Sequence, residues 1–317
     1  MKTRPGWQDP ETPGGVAADS LRRAAFGDRT GVDVAAALSQ VSQQPAARQR
    51  NEWLAAVVLG ARGRYAAAAA LLDPLRAAAD PVLASLAASA LASQRRQLGG
   101  HAAARVLDAT ALGRIAPLGH PEAAESDGVD AAGARHDAVL GLAADAVGRG
   151  VPSEAVRLLT VAGREGAGWR GRVRAAWVSA ECHLATGDRP RAVRDSERAF
   201  EDARSVGAAR HRAKSGLVLA AALAAEGTER GRRRARALAT EVLESSLERV
   251  FLPLAWPSAL LLADLLPERA RDYRRTASDA LSCIFHASDP VGRRLAAASP
   301  WMPGPLLQTG DGAPANG

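Results

Sequence analysis

Apolar and small residues recur along this chain at helical spacing, in pairs of segments that a glycine turn separates. In the first pair, Trp53, Leu54, Val57, Val58 and Leu59 precede the run Gly60-Ala61-Arg62-Gly63. Ala68, Leu71, Leu72 and Leu75 then form one face of the next segment. That spacing predicts two amphipathic helices, and the glycine supplies the left-handed residue that ends the first. Asp73-Pro74 falls inside the second predicted helix, Tyr65–Ala79, so a kink is expected there. Asp80-Pro81 closes the unit. Further pairs run from Val82 to about Ile115, Ala134 to Gly163, about Gly171 to Val206 and Ala208 to Arg249. No segment alternates β-branched and polar residues, so strands are not expected.

The pairs share a finer register. Gly63, Gly99, Gly150, Gly187 and Gly227 each follow an alanine by seven residues: Ala56, Ala92, Ala143, Ala180 and Ala220. Four of them precede an alanine by five: Ala68, Ala104, Ala155 and Ala192. In the fifth unit Arg232 stands at that place, with Ala235 three residues later. Seven residues before the turn and five after it lie at similar heights on two antiparallel helices. Small side chains there let the two axes approach closely. Alanine makes up roughly a quarter of the chain, well above ordinary usage. At that frequency five matches in five would arise by chance on the order of once in a thousand trials.

The register resembles the tetratricopeptide repeat family over roughly residues 46–250. Ala56, Gly63-Arg64-Tyr65 and Ala68 carry the likeness in the first unit, and Ala180, Gly187-Asp188 and Ala192 in the fourth. A further small residue seven positions on is met by Ala111, Ala162 and Ala199, whereas the first unit has Leu75. The turn-to-turn spacings of 36, 51, 37 and 40 residues exceed the family period of about 34. The resemblance implies an all-α fold, a right-handed superhelical array of antiparallel helix hairpins. A sixth pair without the glycine, Leu254–Leu266 and Pro267–Phe285, reads as its cap.

Residues 1–19 are rich in Pro, Gly and acidic residues and read as a disordered N-terminus. The helical-repeat domain is expected over 20–287, with Asp33–Gln43 a short helix and 116–133 an exposed acidic loop marking a subdomain boundary. Residues 288–317 read as a disordered Pro/Gly-rich tail. The N-terminus has no apolar stretch of signal-peptide type, and the longest apolar run is too short to span a bilayer. Two cysteines suggest no disulfide framework, so the expected setting is the cytoplasm. No sequence signal bears on oligomeric state.

Candidate chemistry is sparse. Glu181-Cys182-His183 is a tempting cluster, but consecutive helical residues face different directions. The histidines lack metal-ligand spacing, and no phosphate-binding loop, nucleophile elbow or zinc helix appears. Catalytic residues, metals and cofactors are therefore not expected. Trp53 and Trp177 both stand ten residues before their turn glycines, and Arg50, Arg174 and Lys214 stand thirteen before theirs. The resemblance implies that these five line a concave groove holding a protein or peptide, with acidic partner side chains matched to the cations. The alternative is that the tryptophans are buried between helices and the cations lie on a solvated face.

The net charge of +7 is concentrated in residues 151–250, which hold 19 Arg/Lys against 13 Asp/Glu. Its densest part is Arg230, Arg232, Arg233, Arg234 and Arg236. This patch could meet an anionic partner such as a nucleic-acid backbone. No aromatic platform or helix-turn-helix accompanies it, so a solvated helix start is the simpler reading. The overall expectation is a non-catalytic protein- or peptide-binding scaffold. The alternatives are a sensor region of a transcription regulator lacking its DNA-binding domain, and nucleic-acid binding through the arginine cluster.

Overall fold

The computed structural model describes residues 13–41, 44–163 and 168–304. Those residues form fifteen α-helices and two short 3-10 turns, with no strand among them. Helices α1 (Pro13–Phe26) and α2 (Val34–Gln40) come first. Six hairpins follow: α3 (Pro45–Ala61) with α4 (Tyr65–Leu75), α5 (Pro81–Gln97) with α6 (His101–Ile115), and α7 (Ala131–Gly148) with α8 (Pro152–Ala162). The remaining three are α9 (Trp169–Ala185) with α10 (Arg189–Ser205), α11 (Ala209–Glu226) with α12 (Glu229–Glu248), and α13 (Leu252–Leu265) with α14 (Ala270–His286). Helix α15 (Pro290–Ala298) ends the order. From α3 to α14 each helix packs against the next in sequence.

Local chemistry sets these boundaries. Prolines occupy the first turn of α3, α5, α8 and α10, where the missing N–H costs nothing. Asp80, Asp130, Asp188 and Thr228 cap the starts of α5, α7, α10 and α12 through their side-chain oxygens. Four turns share one hydrogen-bond pattern at the helix end. Arg64 N donates to Leu59 O, Gly100 N to Arg95 O, Val151 N to Ala146 O and Asp188 N to His183 O, each at 2.9 Å. The pattern closes around a glycine with positive φ, between 73° and 80° at Gly63, Gly99, Gly150 and Gly187. At Gly63 a side chain is also excluded by space, since a Cβ would lie 2.7 Å from Ile284 Cγ1.

All nine register alanines are fully buried, as is Ala235 in the fifth unit. The register alanines are thus interior positions in every hairpin that the register marks, and each hairpin's two helices pack closely on one another. One expected helix is shorter: α4 contains Pro74 and stops at Leu75, without continuing to Ala79. Pro74 has no N–H to donate, and the chain turns at Ala77 and Ala78 through bonds to the carbonyls of Pro74 and Leu75.

The expected domain borders need correction. Residues 13–19 belong to α1, while 1–12 lie outside the described residues. Residues 288–304 are no tail: α15 and its neighbours dock on the turns of the first three hairpins, and only 305–317 lie outside the described residues. Arg95 Nη1 meets Asp289 Oδ2 at 2.6 Å, Ser299 Oγ donates to Gly99 O at 3.2 Å and Trp301 Nε1 donates to Gly148 O at 3.0 Å. The sixth pair therefore does not face solvent as a simple cap. The 116–133 segment is only partly an exposed loop. Asp127, Gly128 and Val129 are buried, and Arg22 of α1 grips Asp127 and Glu125 at 2.7 and 3.2 Å. It marks no break either, because α6 packs directly on α7.

Val250, between α12 and α13, takes a φ of 59°, where a β-branched side chain is strained. We expect Val250→Gly to raise stability to urea by about 0.5–1 kcal/mol, strain relief outweighing the entropy of glycine. Ala143→Leu, by contrast, should cost about 1–3 kcal/mol by overpacking a hairpin contact. Ala102→Leu on the exposed face of α6 should stay within about 0.5 kcal/mol. Equal losses at Ala143 and Ala102 would show that the buried alanines are not the close contacts.

Candidate functional site

The first helices of the hairpins stack side by side: α3 on α5, α5 on α7, α7 on α9 and α9 on α11. Helix α1 packs on both α3 and α11 and so closes the circuit. Six helices thereby surround a cavity of about 80 Å³ that opens partly to solvent. Its apolar wall includes Phe26, Trp53, Val57 and Leu86; its polar wall includes Gln94, Asp137, Arg170, Arg174, Arg210 and His211.

Aromatic contacts seal the joint between the two ends of the circuit. The Phe26 ring centroid lies 5.8 Å from that of Trp53 and 6.3 Å from that of His211. Trp177 stacks on His211 at 5.5 Å, and Trp169 meets it edge-on at 5.0 Å. The Arg170 guanidinium sits 5.1 Å from the Phe26 ring, in cation–π range. Gly27 O accepts a bond from Ala209 N at 3.0 Å, tying the end of α1 to the start of α11.

The charged wall is built around Asp137. Arg170 Nη1 donates to its Oδ2 at 2.7 Å, and Arg174 Nη1 lies 3.3 Å from its Oδ1. Arg170 also bonds the carbonyls of Asp127 and Gly128, which locks the inter-hairpin segment to α9. Burial pushes the Asp137 carboxyl up, but the Arg170 and Arg174 charges overcome this and hold it below its ordinary value. Burial lowers the Arg174 and Arg210 guanidiniums. His211 is held well below its usual value by burial and then by the charges of Arg210, Arg170 and Arg174, so it is neutral at pH 7. Behind this wall, Arg96 bridges Asp145 and Asp108; burial pushes the Asp108 carboxyl up to about 7 despite the Arg96 charge.

Five buried polar atoms of lining side chains have no hydrogen-bond partner: Trp53 Nε1, Ser89 Oγ, Gln94 Oε1, Arg210 Nε and His211 Nδ1. Buried groups of this kind are uncommon, and each carries a desolvation cost of about 1–3 kcal/mol when left unmet.

The five groove residues expected from the sequence do not form one surface. Trp53 and Arg174 line the cavity, whereas Arg50, Trp177 and Lys214 are not among its lining residues. Trp53 and Trp177 are only 2% and 9% exposed. Trp177 Nε1 donates to Ser215 Oγ at 2.7 Å. Arg50 turns to Asp80 at 3.5 Å and Lys214 to Glu181 at 3.0 Å. The register nevertheless held a signal for residues that the sequence reading passed over. Asp137 stands thirteen before Gly150, as Arg174 does before Gly187, and Arg170 and Arg210 both stand seventeen before theirs. Phe26, on a helix outside the register, had no such signal.

In the arginine cluster, Arg230, Arg232, Arg233 and Arg234 are exposed on α12, and Arg236 is half-buried. Arg233 pairs with Glu229 at 3.4 Å and Arg234 with Glu197 of α10 at 2.6 Å. The residues of the Glu181-Cys182-His183 run part company. Glu181 meets Lys214, Cys182 Sγ lies 3.6 Å from Pro152 O, and His183 Nε2 lies 3.5 Å from Asp195.

No protein-family model matches this chain, and a comparison with curated proteins finds no match. Among the described residues no helix is long and apolar enough to cross a membrane.

Removing one charge from the buried triad leaves two guanidiniums without their shared partner. Asp137→Asn should therefore lower stability by about 3–5 kcal/mol. Urea unfolding followed by circular dichroism checks this; a change below 1 kcal/mol would mean the triad is solvated.

Proposed function

We propose that this chain is a non-catalytic, tetratricopeptide-like repeat module that binds an acidic segment of a partner protein. The concave face offers such a segment little purchase, since Trp53 and Trp177 are buried and Arg50 and Lys214 already have carboxylate partners. The observation that carries the reading lies on the outer helices. Arg194 and Arg198 on α10, and Arg230 and Arg232 on α12, are exposed and make no ion pair among the described residues. The Arg234–Glu197 pair links α12 to α10, and Arg230, one turn before Arg234, and Arg194 and Arg198, one turn apart on α10, stand near that link. Arginine forks suit carboxylates, and exposed unpaired cations accelerate encounter with an acidic partner.

Carboxylates of Asp195, Glu197, Glu201 and Glu229 are interleaved with these arginines. They would repel a continuous phosphate backbone, whereas a protein segment can place its acidic side chains only opposite the arginines and neutral or basic ones opposite these carboxylates. That favours protein over nucleic acid as the partner. The cavity inside the helix ring favours one second reading, the ligand-sensing region of a transcription regulator that lacks its DNA-binding domain.

The double variant Arg230→Glu/Arg232→Glu tests the first reading by capture from cell extract at low and moderate salt. We expect specific partners of the unmodified protein to be lost by at least tenfold, with the helical spectrum unchanged. Retention of the same partners in the same amounts would remove this surface as the docking face. An accompanying gel shift with duplex DNA should show no salt-sensitive complex; a shift abolished by the double variant would replace the protein reading with a nucleic-acid one.

A further inference from the structure

We propose that the cavity inside the helix ring is a binding site for a small organic anion, one with a flat apolar body and a carboxylate or phosphate head. This site is separate from the outer arginine surface and does not depend on the protein-binding reading.

The charge of the lining demands an anion. Three guanidiniums, Arg170, Arg174 and Arg210, face the cavity against a single carboxylate, Asp137. Asp137 is already shared between Arg170 and Arg174. The nearest other carboxylates are committed elsewhere: Asp108 and Asp145 to Arg96, and Glu181 to Lys214. Arg210 has no carboxylate partner among the described residues, and its Nε is buried and unbonded. An uncompensated guanidinium in such a setting is costly unless something negative reaches it. His211 next to it stays neutral, which leaves Nδ1 or Nε2 free to accept or donate according to tautomer.

The remaining wall gives the ligand its second half. Phe26, Trp53, Val57 and Leu86 add apolar surface to the same lining, Phe26 directly beside Arg170, as in ligand sites that combine an apolar body with a few placed polar groups. Trp53 Nε1 and Gln94 Oε1 supply one neutral donor and one neutral acceptor without present partners. Gly60 leaves room for Gln94: a Cβ there would lie 3.0 Å from Gln94 Nε2. Water could meet several of these atoms, but water does not neutralise an excess of two positive charges over a partly desolvated wall.

The test uses the full chain and four probes, benzoate, phenylacetate, phthalate and phenyl phosphate, with benzamide as the uncharged control and inorganic phosphate as the head group alone. Binding is read by calorimetry and by the His211 imidazole resonance. We expect at least one aromatic anion to bind below millimolar, benzamide at least tenfold more weakly, and the His211 titration to move to higher pH as the added negative charge offsets the arginines. Tighter binding of the carboxylates or of phenyl phosphate identifies the head group. Arg210→Gln should weaken binding at least tenfold. Because Arg210 makes no ion pair among the described residues, that variant should fold; Ser93→Phe, which fills the cavity from its half-buried rim, provides a second block without touching a charge. Failure of every anion to bind overturns the proposal. So does binding that Arg210→Gln and Ser93→Phe both leave unchanged, or binding of inorganic phosphate alone with no gain from an aromatic body. None of these outcomes bears on capture of partners by Arg230 and Arg232.

Discussion

The close approach of paired helices at fully buried alanines is the constraint on which the rest of this structure depends. A methyl group at Ala56, Ala92, Ala143, Ala180 and Ala220 lets each hairpin shut tightly against its own second helix. Tight hairpins then stack with their first helices side by side. The stacking turns far enough for α11 to come back to the N-terminal end of the chain, and α1 fills the gap between α3 and α11. A bulkier residue at these places would widen each hairpin, and the small errors would accumulate around the circuit. Closure at Phe26 and His211 therefore reports on contacts made many helices away.

Closure has an electrostatic consequence. Residues that would sit on the open concave face of an extended array are here turned toward one another and withdrawn from water. Arg170, Arg174 and Asp137 gain a shared ion pair, while Arg210 and His211 are brought in without charge partners among the described residues. Asp127 and Glu125, in the segment between α6 and α7, bind Arg22 and anchor α1. The chain thus uses its acidic segment as internal fastening, which explains why that segment does not divide the array.

The two faces consequently differ in what they can recognise. The outer surface of α10 and α12 carries exposed cations mixed with carboxylates, suited to a protein partner of opposite charge. The interior is small, partly open to solvent and cationic, of a size for a molecule far smaller than a protein. Because α1 lines the cavity and also holds the ring shut, an occupant of the interior would bear directly on how firmly the ring closes. Helix α1 is held there by its buried face, Ala17, Leu21, Ala25 and Phe26, together with the Arg22 ion pairs and the Gly27–Ala209 bond.

Much of this was legible in the sequence because it is local. The alanine and glycine register follows from helix geometry within about twenty residues, so the hairpins, their turns and their buried alanines could be read directly. Prolines and aspartates at helix starts act through their own backbone and were equally readable. The thirteen-residue register even contained Asp137 beside Arg174, though charge of opposite sign concealed the kinship. What only the tertiary structure decided is how far the stack turns. That angle sums small rotations over many contacts and has no local signature. It determined that Trp53 is buried against Phe26, that residues 288–304 dock on the first three turns, and that Arg170, Arg174 and Arg210 converge on one cavity instead of lining an open groove.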